Sequence, residues 1–161
     1  MGPRERRAWR GAGARAIQTM DIPEVRRRLR AAIEGARSDA QQRRSRVDAA
    51  SREYEQFLTE KAVPLFHTFA AALASEGLRF KVFTPAGSVR LASESGGDDY
   101  IELSFDTAGE RPQVIGRSSR GRGRRLVTSE HPIREGADVA LLTEEDVLDF
   151  LVQEIRAFVS S

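Results

Sequence analysis

The chain has 161 residues, of which 40% are apolar and 31% charged, with a net charge of +2. That suits one modest core and excludes a membrane-spanning helix, since no stretch approaches the roughly 20 apolar residues needed to cross a bilayer. Cysteine is absent, which excludes disulfides, thiolate metal ligands and thiol nucleophiles and fits a reducing, cytoplasmic setting.

The basic residues are nearly all arginine, with only Lys61 and Lys81 as lysines, and asparagine is absent. Such bias resembles that of a GC-rich genome and weakens arginine content as a sign of nucleic-acid binding. Five arginines against Glu5 give residues 1–19 a charge of +4; the whole chain carries +2, so residues 20–161 carry −2. The remainder therefore exerts no global attraction for polyanions.

Residues 1–19 show no amphipathic repeat and read as a disordered basic tail or as an extension ahead of a true start at Met20. Gly11-Ala12-Gly13-Ala14-Arg15-Ala16 matches a dinucleotide fingerprint by letter but follows no strand, so it fails the structural test of that motif. Asp21-Ile22-Pro23-Glu24 is a helix start: Asp21 can cap, proline suits the first turn and Glu24 favours the helix dipole.

A long helix is predicted over 20–63, where Ala, Arg, Glu and Gln dominate. With Ile33 at position a of a heptad, Ile33, Ala40, Val47 and Tyr54 fall at a, and Leu29, Ala36, Arg43, Ala50 and Phe57 at d. This is a coiled-coil-like seam with one break, at Arg43. Its alanine-rich centre allows close approach but buries little area, so pairing through it is expected to be weak. The seam strengthens toward Tyr54, Phe57 and Leu58, where it is expected to enter a core. Pro64 is expected to kink or restart the helix. A second helical segment follows and ends near Gly77.

The compact part, 64–161, is expected to be α+β. After Gly77 the period changes to alternation: Phe80 and Val82, then Val89 and Leu91, then Ile101, Leu103 and Phe105 share one face. Thr84-Pro85-Ala86-Gly87 is a turn signal. Placing apolar residues opposite one another favours Val82 against Val89 and Phe80 against Leu91. Short strands are expected at 113–117 and 124–129, giving a five-stranded antiparallel meander. Thr143 should cap a last helix whose stripe of Val147, Leu148, Leu151, Val152, Ile155, Phe158 and Val159 covers the sheet.

The catalytic inventory is poor. Neither His67 nor His131 has metal-ligand spacing, and no nucleophile motif is present. Asp98, Asp99 and Glu102 could hold a cation, but polar turns use aspartate for ordinary reasons. No catalytic residue, cofactor or metal is therefore assigned.

One segment reads as an anion or nucleic-acid contact: Arg117, Arg120, Arg122, Arg124 and Arg125, with Gly121 and Gly123 allowing close backbone approach. It lacks an aromatic stacking platform, and a solvated arginine loop in an arginine-biased sequence is the simpler explanation. The expected function is a non-catalytic protein-interaction or self-association module. Its candidate seam is Leu29, Ile33, Ala36, Ala40, Val47, Ala50, Tyr54 and Phe57, which would pair with a second copy or a partner helix. The alternative is a nucleic-acid- or phosphate-associated protein using 117–125.

Overall fold

A computed structural model describes residues 20–160. The basic tail, 1–19, lies outside the described residues. The chain divides into two compact units at Arg44/Ser45. The boundary falls inside helix α1, Ile22–Phe57.

The first unit is the N-terminal part of α1. Asp21 caps it, its carboxylate accepting from the Glu24 N–H at 3.0 Å. Glu24 pairs with Arg27 and Arg28 one turn on. Such exposed pairs add only tenths of a kcal/mol, about 0.2–0.5 each.

The second unit begins with the last turns of α1 and contains the core. Pro64 does not simply kink the helix. Leu58–Ala62 form a π-turn, in which the Val63 N–H reaches back to the Leu58 carbonyl, and α2, Val63–Ser75, resumes with the proline in its first turn. A proline is cheap there, because first-turn N–H groups have no intrahelical partner. α2 ends in a Schellman motif: Leu78 N–H to Leu73 carbonyl at 2.9 Å and Gly77 N–H to Ala74 carbonyl at 3.1 Å. Gly77 takes the left-handed conformation that this motif requires (φ +82°).

The five strands are β1 (Phe80–Phe83), β2 (Val89–Ser93), β3 (Tyr100–Asp106), β4 (Gln113–Arg122) and β5 (Arg125–Pro132), an antiparallel meander in the order β1-β2-β3-β4-β5. The β1–β2 register differs from the expected one. Val82 faces Leu91 and Phe80 faces Ser93, a shift of two residues that keeps each side chain on its expected face. The cause is the turn: Ser88 N–H bonds the Pro85 carbonyl with Gly87 at φ +75°, a tight turn that is complete before Val89 begins β2. Strands β4 and β5 also run further than the expected 113–117 and 124–129. The tight turn Gly123-Arg124 joins them, and Arg122 faces Arg125.

Helix α3, Glu144–Val159, starts at a capping box: Thr143 accepts from the Asp146 N–H and Asp146 accepts from the Thr143 N–H. Its buried face is rotated from the expected stripe. Val147, Phe150, Leu151 and Glu154 are buried, while Leu148, Val152 and Val159 are exposed. The reason is Gly116 on β4: Phe150 lies against its bare backbone, where an added Cβ would sit 2.2 Å from the ring. A short 3-10 turn, Val139–Leu141, sends Val139 and Leu142 into the same core.

Candidate functional site

The predicted seam divides along its length. Tyr54 and Phe57 are buried in the core of the second unit, with Val47 and Ala50 half-buried. The Tyr54 ring stacks on Phe105 with centroids 4.7 Å apart, and its hydroxyl donates to the Gly87 carbonyl at 2.7 Å. Burial, with the Glu102 carboxylate adding to it, pushes that hydroxyl well above its usual range, so it stays a neutral donor. Tyr54 thereby ties α1 to the β1–β2 turn.

The seam residues of the first unit are different. Leu29 is 58% exposed and Ile33 42%, and Ala36 and Ala40 are exposed as well. Ile22 and Val25 extend the same stripe toward the helix start and are also exposed. Sequence reasoning missed these two; their spacing of three, four and four residues through Leu29 to Ile33 could have revealed them.

The arginine segment is not one surface. Strand alternation places Arg117 on the sheet face away from Arg120 and Arg122. Arg117 donates to Glu130 at 2.9 Å through Nε. Arg120 donates to the Ala157 carbonyl at 2.6 Å, with its guanidinium 5.9 Å from the Phe158 ring centre. Arg122, Arg124 and Arg125 are exposed at the hairpin tip and have no ion pair among the described residues. Three of the five charges are thus displayed together.

Arg90, Glu102, Arg117 and Glu130 face one another on four adjacent strands, a row of alternating sign on the sheet face away from Phe150. Glu102 is only 9% exposed and accepts from Arg90 through both Nε and Nη2 at 2.6 Å. Asp99 accepts from the Gly121 N–H at 2.7 Å, which fastens the β2–β3 loop to the end of β4. Of the acids weighed as a cation site, Asp99 and Glu102 are therefore engaged elsewhere, and no group of three or more metal-ligating side chains occurs among the described residues.

A cleft of about 660 Å³ lies beside Tyr54, with hydroxyls of Ser51, Thr59 and Ser104 and carboxylates of Glu55 and Glu102 in its walls. It offers hydrogen bonds, but no histidine or lysine lines it.

His131 has a partner that the sequence did not reveal. Its Nε2 lies 2.9 Å from the carboxylate of buried Glu154, and its Nδ1 lies 3.1 Å from the Pro132 carbonyl. Both ring nitrogens face acceptors, so the doubly protonated imidazolium is favoured. The Glu154 hydrogen bond, followed by the Pro132 carbonyl, raises the pKa above 6.5. Because the folded-state pKa is raised, the stabilisation is complete below pH 6.5 and is lost as pH rises through the folded value. Urea denaturation of the wild type should therefore show falling stability above pH 6.5, and His131→Gln should flatten that part of the profile. Identical profiles would remove the pair as its cause.

The sequence matches no known protein family, no curated protein and no solved structure. No helix among the described residues is long and apolar enough to cross a membrane.

Proposed function

We propose that the protein is a non-catalytic self-association module acting in the cytoplasm. Its helix α1 pairs with α1 of a second copy through Leu29, Ile33, Ala36 and Ala40. The observation that carries this reading is the exposed apolar stripe Ile22, Val25, Leu29 and Ile33 on an uninterrupted helix. A solvated helix gains little from propensity alone and takes most of its stability from packing an apolar face. Arg26 and Arg30 border the stripe on one side and Arg28 on the other, the charged margin beside an apolar seam that helix pairing uses. The alanines and Arg43 make the pairing weak and exchangeable.

The absence of cysteine gives a direct test. A thiol placed by Ile33→Cys lies at an a-site, and a parallel pair brings a-sites close enough to oxidise. The expected result is a covalent dimer on mild oxidation for Ile33→Cys and none for Glu34→Cys on the side of the helix away from the stripe. Equal yields from both would count against the seam.

A further inference from the structure

Strand β5 forms one edge of the sheet, and every residue from Arg125 to His131 is exposed. The other edge strand, β1, has only four residues. We infer that the outer edge of β5 pairs antiparallel with β5 of a second copy, continuing the sheet across a two-fold axis at Val127. This rests on strand register and is separate from the helix pairing proposed above.

The argument starts from the turn. Arg122 faces Arg125 across the two-residue connection Gly123-Arg124, and in such a hairpin the closing pair exchanges both hydrogen bonds. The backbone groups of Arg125, Val127 and Ser129 therefore point into the sheet. Those of Leu126, Thr128 and Glu130 point outward, and none of their N–H groups makes a turn, loop or cap bond among the described residues. An edge with free donors and acceptors is a template for another strand. Val127 and Thr128 are good strand formers, and Leu126 and Val127 are exposed large apolar side chains. Pro132 has no N–H and ends the edge.

Charge selects the occupant. Charged side chains on an edge ordinarily discourage pairing, but here both signs occur in order along the strand, Arg124 and Arg125 at one end and Glu130 at the other. Reversing a copy about Val127 sets Glu130, which also holds Arg117 of its own sheet, opposite Arg124 of that copy, twice over. The same register sets Leu126 against Thr128, where they exchange ladder bonds. It also sets Val127 against Val127 in a non-hydrogen-bonded pair, the type in which side chains come closest. A two-fold axis through an antiparallel pair must place a residue opposite itself, so that both copies present the same face; Val127 satisfies this. Joined with helix pairing, two such interfaces on one chain build assemblies larger than a dimer.

Thr128→Pro tests the edge without touching the β4–β5 ladder, because the N–H it removes points outward. Amide exchange of the full chain is followed by NMR over a roughly hundredfold concentration range, as association requires. The Leu126 and Glu130 amides should become at least ~tenfold slower at high concentration in the wild type and in Ile33→Asp, but not in Thr128→Pro. Arg124→Glu, at an exposed turn position that makes no ion pair among the described residues, should weaken the same protection. Fast exchange at every concentration, slow exchange independent of concentration, or unchanged protection in both variants would overturn the inference. Loss of protection in Ile33→Asp would also overturn it, by showing that the edge is ordered only through the helix.

Discussion

Phe150→Ala is expected to destabilise the fold by about 3–5 kcal/mol, the range for truncating a buried aromatic ring. Phe150 is buried and fills the space that Gly116 leaves open. The converse change, Gly116→Ala, should cost about 1–3 kcal/mol or more, because overpacking forces side chains off their rotamers and displaces backbone. The space is the issue, since Gly116 does not have positive φ. The two changes should therefore couple. With the ring removed, the added methyl has room, and Gly116→Ala should cost much less in the Phe150→Ala background. Denaturant titration of the four chains measures this as a double-mutant cycle. Strict additivity would mean that α3 does not rest on Gly116.

Leu103→Ala should cost about 2–5 kcal/mol, the usual result for a fully buried leucine. Leu103 is 0% exposed at the centre of β3, between Val89 on β2 and Gly116 on β4. Its neighbour Glu102 faces the other way, and alternation alone predicts a change near ±0.5 kcal/mol for Glu102→Ala, as at ordinary surface sites. The structure corrects that figure. Glu102 is nearly buried and holds Arg90 through two donors, so its loss should cost about 1–2 kcal/mol, moderated by the exposure of Arg90. The order of effects, Leu103 above Glu102 above an exposed site such as Thr128, checks both the face assignment and the charge row. Equal effects at Leu103 and Glu102 would refute it.

The meander was legible in the sequence because alternation is a short-range signal: Ile101, Leu103 and Phe105 report their faces without knowledge of their neighbours. Register was less legible. Several registers keep Val82 and Phe80 inward, and the geometry at Pro85 and Gly87 decides among them. The face of α3 was misread because two apolar stripes coexist. Leu148, Val152, Ile155 and Val159 make one; Val147, Phe150, Leu151 and Phe158 make the other, interrupted by Glu154. Glu154 argues against its own stripe until His131, from a distant strand, is seen to receive its charge. The arginine segment was visible as composition only. Strand alternation then separates Arg117 from Arg120, and packing of α3 engages Arg120.

The exposed part of the seam carries the functional reading, and the most direct measurement is sedimentation equilibrium over a wide concentration range. Thr128→Pro is the reference chain, because it removes the strand edge as a second route to association. Its mass should rise with concentration from the 17.9 kDa monomer toward two chains. Adding Ile33→Asp, which places a charge at an exposed a-site of α1, should hold the mass at the monomer value throughout with the sheet domain still folded. A reference chain that remains monomeric at every concentration, or a double variant that associates equally well, would contradict pairing through Leu29 and Ile33.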